Sequence, residues 1–209
     1  MWKALPLLLL VACSNPNRSP DVCFAYTALN PIATVFTQQS GGRTALLGDS
    51  ILQLGALTTG FITEHDTRNY AVGGNTLCDV ALLVAVLPDT GLTTFIVDGG
   101  GNDLMQGIPV ELIGQTQLQL LFALQRFPIE HLVWIGVPPT RTGADPLELN
   151  AVLRAGLAVM YPRGCFIDPR WAYATPDQAI EGTLIDDRHP TAPIYMRLRQ
   201  DIERCGVVF

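Results

Sequence analysis

The sequence predicts an α/β domain, a three-layer α/β/α sandwich around a five-stranded parallel sheet. Short apolar segments rich in β-branched residues alternate with longer segments of helical periodicity. The short segments are almost continuously apolar, which is typical of parallel strands covered on both faces. Right-handed crossovers between five such units place helices on both sides of the sheet. No internal repeat and no second domain boundary is visible, so we expect one domain over residues 43–209.

Five strands are predicted, and each ends at glycine, proline or a polar turn. They are Thr44–Leu47, Thr67–Val72, Thr93–Val97, His131–Val137 and Cys165–Ile167. The first is followed by Gly48, the second runs into Gly73, the third is followed by three glycines after Asp98, and Pro138 stops the fourth. Glycine and proline interrupt strands in this way because they favour turns.

Helices are predicted between and after the strands, each from apolar residues three or four positions apart. They are Ser50–Phe61, Leu77–Leu87, Pro109–Phe127, Pro146–Tyr161 and Ala192–Arg204. Pro109 suits a first helical turn, and Leu112, Leu118, Leu121 and Leu124 form an apolar stripe behind it. Asp145 is placed to cap the N-terminus of the helix that follows it.

Composition supports a folded domain and excludes two classes of protein. Of the 209 residues, 48% are hydrophobic and 15% are charged, which is enough for a sizeable core. Beyond the N-terminus there is no run of about 18 uncharged apolar residues, which excludes a polytopic membrane protein. The net charge of −6, with no basic stripe, argues against nucleic acid as a partner. We expect a monomer.

The N-terminus has the pattern of an export signal. Lys3 precedes a short apolar run that ends at Ala12, and the run is too short to span a bilayer. The tetrapeptide Leu10-Val11-Ala12-Cys13 resembles the lipobox of bacterial lipoproteins, which implies cleavage after residue 12 and lipidation of Cys13. The alternative is an ordinary secretory signal with a chance cysteine. Residues 13–42 then form a tether and an irregular segment. Ser14, rather than Asp, implies the outer membrane by the same resemblance.

Four cysteines remain if residues 1–12 are removed and Cys13 carries the lipid. An even number in an exported chain favours two disulfides, and three pairings are open. We predict Cys23–Cys78 and Cys165–Cys205, the second joining a late strand to the last helix. None of the spacings is that of a zinc site or a redox motif, so no metal is expected.

Polar side chains follow the strands at the carboxyl edge of the predicted sheet, where ligands bind in open parallel sheets. Ser50 lies at a tight turn before a helix, where a nucleophile would be exposed, although most Ser residues at such turns only cap the helix. A serine needs a base, and of the three histidines only His189 lies on this edge; His65 and His131 lie at the opposite one. Asp186 is close enough to orient the imidazole of His189.

Four blocks, in order along the chain, resemble the SGNH (GDSL-type) hydrolases. They are Gly48-Asp49-Ser50, the segment from Asn69 to Thr76, Gly100-Gly101-Asn102-Asp103, and Asp186-Asp187-Arg188-His189-Pro190. The resemblance covers roughly residue 44 to the C-terminus and implies a flavodoxin-like sheet. It further implies a Ser50–His189–Asp186 triad, with an oxyanion hole formed by the Ser50 and Gly74 N–H groups and the Asn102 amide. Asp187 and Arg188 depart from the usual pattern, and Asp187 stays open as an alternative orienting carboxylate.

The function implied is hydrolysis of carboxylic esters without a metal or cofactor. Short turns after the strands leave no room for a long lid, which favours small-molecule or polysaccharide esters with short acyl groups. A lysophospholipase or thioesterase acting on lipid acyl groups is the alternative within enzymes. A non-catalytic envelope lipoprotein that keeps the fold for binding is the alternative outside them.

Overall fold

The computed structural model describes residues 42–59, 67–88, 91–139, 145–169, 186 and 188–207, with only the backbone described for 56–59. Its strands are β1 Thr44–Leu47, β2 Thr67–Asn69, β3 Thr94–Asp98, β4 His131–Ile135 and β5 Cys165–Ile167. Its helices are α1 Ser50–Thr59, α2 Leu77–Val86, α3 Gly101–Met105, α4 Val110–Leu124, α5 Leu147–Met160 and α6 Ala192–Arg204. Strands and helices alternate along the chain as the sequence predicts, except that α3 and α4 both lie between β3 and β4.

The five strands form one parallel sheet in the order β2-β1-β3-β4-β5. This confirms the predicted sheet and its flavodoxin-like order. The order reverses between β1 and β3, which are neighbours in space although β2 lies between them in sequence. At such a switch point, connections leave the two strands in opposite directions and open a crevice at their carboxyl ends. The fold therefore places the residues that follow β1 and β3 side by side.

The core consists of two apolar layers, one on each face of the sheet. Alternate residues of a strand point to opposite faces, so Leu47 belongs to one layer and Leu46 to the other. Helices α2, α4 and α5 cover the face of Leu47, Phe95 and Trp134. Helices α1 and α6 cover the face of Leu46, Ile96 and Val133. The predicted three-layer sandwich is confirmed.

A few local predictions need correction. Strand β2 ends at Asn69 rather than Val72, although the N–H groups of Tyr70 and Val72 still bond to carbonyls of β1 and Gly48. Strand β4 ends at Ile135 rather than Val137, and α2, α4 and α5 are one to three residues shorter at one or both ends than predicted. Helix α6 has the predicted bounds, and α1 begins at Ser50 as predicted. Helix α3 is missing from the prediction, because five residues are too few to show a periodicity.

The apolar stripe of α4 is also rotated from the predicted one. Its buried leucines and isoleucine are Ile113, Leu120, Leu121 and Leu124, whereas Leu118 is 39% exposed. The helix packs against both α2 and α5, and contact with two neighbours shifts the buried face from the one that leucine spacing alone indicates.

A disulfide joins Cys165 at the start of β5 to Cys205 at the end of α6, which is the pairing predicted for these two residues. It ties the edge strand of the sheet to the helix that covers it. The other predicted pairing lies outside the described residues, because Cys23 does. Within the described ranges, no helix is both long enough and apolar enough to cross a bilayer.

Candidate active site

A cleft of about 300 Å³ opens at the carboxyl ends of β1 and β3. Polar groups from three segments meet in it: the turn after β1, the loop after β2, and the start of α3. The segment before α6 closes one side and contributes His189 and Arg188. Apolar side chains form much of the remaining wall, and these are Leu104, Met105, Val137 and Pro138. The cleft thus lies at the switch point of the sheet.

Ser50, His189 and Asp186 form a continuous chain of hydrogen bonds across this cleft. The Oγ of Ser50 lies 2.9 Å from the Nε2 of His189. The Nδ1 of the same imidazole lies 2.7 Å from the Oδ2 of Asp186. The serine is 139 positions from the histidine in sequence, so only the fold brings them together. A hydroxyl, an imidazole and a carboxylate in this order have the geometry of nucleophile, base and orienting group.

The segment 186–189 holds itself in place through the carboxylate of Asp186. Its Oδ1 accepts the backbone N–H groups of Arg188 at 2.7 Å and His189 at 2.8 Å. The hydrogen bond from the His189 ring, together with these two backbone bonds, holds the pKa of Asp186 below its usual range. The carboxylate is 55% exposed, whereas the imidazole is 23% exposed. Asp186 is therefore ionised and aimed at a ring that is largely shielded from water.

Ser50 is not used as a helix cap, because Asp49 takes that role. The Oδ1 of Asp49 accepts the N–H of Ile51 at 2.8 Å, one of the N–H groups of the first turn that lack a partner inside the helix. The Ser50 hydroxyl is left to bond His189. Gly48, just before, lies so close to β3 that a Cβ there would fall 1.4 Å from Oδ1 of Asp98. Only glycine fits at this point of the turn.

The two other predicted polar groups line the same cleft. Gly74 has a φ of +87°, which favours glycine, and a Cβ there would meet nothing within 4 Å. Its N–H has no partner among the described residues, whereas the Gly73 N–H bonds to the Gln53 side chain at 2.9 Å. The amide of Asn102 donates to the carbonyl of Asn75 at 2.9 Å and, over a longer 3.3 Å, to Oδ2 of Asp49.

Three buried acids lie at the floor of the cleft, and two of them, Asp49 and Asp98, line it. Sequence reasoning did not show that any of the three is buried. Asp49, Asp98 and Asp103 are between 2% and 5% exposed. Burial raises the pKa of all three, that of Asp103 to about 7. For Asp98 the neighbouring charge of Asp49 adds to the effect. The sequence shows these residues only as polar positions near turns, and their burial depends on the packing of β1 against β3.

The structure also resembles solved structures of known description. No protein-family model matches the sequence, and no curated protein matches it. A GDSL-like lipase from Bacteroides thetaiotaomicron superposes with a TM-score of 0.65 at 14% identity, over 87% of this chain and 97% of the other. A member of the lipolytic protein G-D-S-L family from Veillonella parvula gives 0.63 at 15% identity, over 79% and 98%. An acetyl-xylooligosaccharide esterase variant from Geobacillus gives 0.60 at 17% identity, over 83% and 98%. The chain has the SGNH hydrolase fold.

In this SGNH fold, the four sequence blocks meet at one edge of the sheet. Ser50, Gly74, Asn102 and His189 all line the cleft, and Asp186 bonds the imidazole from behind. His131 opens β4 at the opposite edge, as expected. The predicted lipidation site Cys13 lies outside the described residues, as do His65 and the alternative carboxylate Asp187. The part of the chain that the structure describes contains no cluster of side chains suited to a metal ion.

Proposed function

We propose that the protein is a serine carboxylic-ester hydrolase that cleaves short acyl esters, including O-acetyl groups of carbohydrates. The observation that carries the proposal is the chain of two hydrogen bonds from Ser50 through His189 to Asp186, at 2.9 and 2.7 Å. A serine hydroxyl is a poor nucleophile at neutral pH unless a base accepts its proton. The imidazole is placed to do so, and the cleft beside it is open to a substrate.

Ser50 attacks the acyl carbonyl while His189 accepts its proton at Nε2. Asp186 stabilises the imidazolium that forms, because its carboxylate is ionised and bonded to Nδ1. The imidazolium then gives the proton to the leaving alcohol, and the acyl group stays on the Ser50 oxygen. Water, deprotonated by the same imidazole, releases the acid and restores the serine.

The negative charge on the carbonyl oxygen is stabilised by three donors: the Ser50 N–H, the Gly74 N–H and the Asn102 amide. The two backbone N–H groups have no protein acceptor among the described residues, so both are available. The Asn102 amide is engaged with Asn75 and Asp49, but its bond to Asp49 is long at 3.3 Å. A developing oxyanion accepts more strongly than a neutral partner does, so this amide hydrogen turns to the substrate as charge develops.

The walls of the cleft favour a short acyl group. Leu104, Met105, Val137 and Pro138 offer an apolar surface, but about 300 Å³ is at the small end for ligand sites and must also hold the alcohol. The similar structure from Geobacillus is that of an acetyl-xylooligosaccharide esterase, an enzyme of acetyl esters. The similar lipase and lipolytic protein keep lipid acyl hydrolysis as the second candidate.

The substrate class is tested with p-nitrophenyl esters of increasing acyl length, from acetate to palmitate. We expect kcat/KM to be greatest for acetate or butyrate and to fall for longer chains. A maximum at long chains would replace the short-acyl proposal with lipid hydrolysis. No cleavage above the Ser50→Ala background at any length would refute the hydrolase proposal and leave a binding protein.

We also propose that the protein is exported and held in the bacterial envelope through a lipid on Cys13. The disulfide between Cys165 and Cys205 supports an oxidising compartment, because disulfides are rare in the cytosol. Several acyl chains on one cysteine give stable anchoring where a single chain is marginal. The esters within reach of such a protein are those of envelope polysaccharides and lipids.

A further inference from the structure

The carboxyl of Asp98 bonds the backbone on both sides of Ser50. Its Oδ1 accepts the N–H of Asp49 at 2.9 Å, and its Oδ2 accepts the N–H of Leu52 at 3.2 Å. Asp98 is the last residue of β3 and is 2% exposed. These bonds therefore connect the carboxyl end of β3 to the turn after β1. The contact is close, since a Cβ on Gly48 would fall on the Asp98 carboxyl.

We infer that Asp98 is a positioning residue for the nucleophile, which fixes the turn that carries Ser50 through hydrogen bonds to its backbone. The inference rests on the hydrolase function proposed above. Helix N-termini leave their first N–H groups unpaired. In α1, Asp49 takes the N–H of Ile51 and Asp98 takes that of Leu52. The Ser50 N–H is then the one among these three with no protein acceptor in the described residues, so it is free for the substrate oxygen.

Burying a carboxyl group costs free energy unless the group is hydrogen-bonded or neutral. Asp98 adjoins Asp49, and two buried carboxyls this close do not both ionise. Each carboxyl accepts two N–H donors, but the hydrogen bond between the two carboxyls favours the charged form of Asp49 and the neutral form of Asp98, so Asp49 keeps the charge. Burial and that charge raise the pKa of Asp98 well above its usual value. Asp98 thus acts as a neutral acid. Asparagine is also neutral but keeps only one of the two acceptor oxygens, because its NH2 group donates and cannot accept an N–H.

The test compares Asp98→Asn, Asp98→Leu and Asp98→Ala with wild type in the full-length protein. Active sites are counted by covalent labelling with a fluorophosphonate, and kcat for p-nitrophenyl acetate is expressed per labelled site. Loss of the two backbone bonds frees the turn, and a misplacement of about 1 Å costs on the order of 10²-fold in rate. We expect kcat per site to fall about 10- to 100-fold in the leucine and alanine variants, with KM within about two-fold. Asp98→Asn keeps one of the two acceptor oxygens, so its loss of kcat per site should be smaller than that of Asp98→Ala.

Gln117→Leu is the matched control, because it also removes a fully buried polar side chain that bonds backbone. Its Nε2 donates to the carbonyl of Leu153 between α4 and α5, away from the cleft. We expect it to lower stability but to leave kcat per labelled site unchanged. A purely structural role for Asp98 predicts the same result for the Asp98 variants.

The possible outcomes are distinct. Wild-type kcat per site in Asp98→Leu, or in Asp98→Ala if the leucine variant does not fold, overturns the inference. So does an equal loss in Gln117→Leu, or a loss in Asp98→Asn as large as that in Asp98→Ala. A wild-type protein that neither hydrolyses the ester nor labels at Ser50 refutes the hydrolase function itself, and the positioning role with it.

Discussion

Substituting Asp103 by asparagine should change how the stability of the protein depends on pH. Asp103 lies in α3, is 3% exposed, and its Oδ2 accepts the N–H of Leu77 at 2.9 Å. That N–H belongs to the first turn of α2, so the bond holds two helices together at the floor of the cleft. Burial raises the pKa of Asp103 from 3.8 to about 7. An asparagine side chain at this position would keep an oxygen for the Leu77 N–H and would not titrate.

The sign and size of the effect follow from the raised pKa. The folded state binds the proton more tightly than the unfolded state, so the contribution to stability is complete below the unfolded pKa. It is lost as the pH rises through about 7. One pKa unit corresponds to about 1.4 kcal/mol, and the loss between about pH 5 and about pH 8 is therefore about 2–3 kcal/mol. The asparagine variant lacks this pH-dependent part.

Urea unfolding of wild type and Asp103→Asn at several values in that pH range measures the difference. We expect the free energy of unfolding of wild type to fall more steeply with rising pH, so that the two curves diverge by the stated amount. Asp49 and Asp98 are present in both proteins and their titration largely cancels. Asp145→Asn, which removes an exposed carboxyl by the same change, is the control. Parallel curves for wild type and Asp103→Asn would show that the pKa of Asp103 is not raised in the folded state.

Three further predictions concern the oxyanion hole, the disulfide and the anchor. Asn102→Ala should lower kcat by about 10²–10³ because one donor to the oxyanion is lost; unchanged turnover would remove Asn102 from the site. Cys165→Ser should lower the free energy of unfolding by about 2–4 kcal/mol, since the bond to Cys205 closes a loop across 40 positions. Equal urea midpoints for this variant and wild type would show that the bond adds nothing. Radiolabelled palmitate should enter the wild type and not Cys13→Ser, and equal labelling would exclude lipidation at that cysteine.

The fold was predictable because its signals are local. Each strand is a short apolar run that ends at a turn residue, and each long helix shows its own spacing. Parallel strands buried on both faces require such runs, so the pattern also indicates the layers. Helix α3 was not predicted because Gly101 and Asn102 are typical turn residues. Tertiary contacts rather than propensity make these five residues helical. Several other strand and helix ends differ from the prediction by one to three residues, because tertiary contacts also decide where an element ends, whereas β1, β5 and α6 have the predicted bounds.

The residues of the candidate site were predictable from the sequence, but the buried residues that position them were not. Ser50, Asn102 and His189 follow strand ends or lie in a recognisable block, and the carboxyl edge of a parallel sheet gathers such residues. The spacing between Asp98 and Asp49, by contrast, is 49 positions, and their contact exists only because β3 pairs with β1. Nothing in the sequence marks Asp98 as buried, since an aspartate before three glycines is typical of a turn.

The acids around the cleft fall into two groups whose pKa values are shifted in opposite directions. Asp186 is exposed and bonded to three N–H donors, so its pKa lies below the usual range and its charge is present for the imidazolium except in strong acid. Asp98 and Asp103 are buried and their pKa values are raised, so they accept backbone N–H groups as neutral acids, Asp103 doing so below its pKa of about 7. Acid therefore weakens the first group and base weakens the second. When acid protonates Asp186, activity should fall but the fold should stay intact, because this exposed carboxylate contributes little to stability. High pH should instead destabilise the packing around the buried acids that position Ser50.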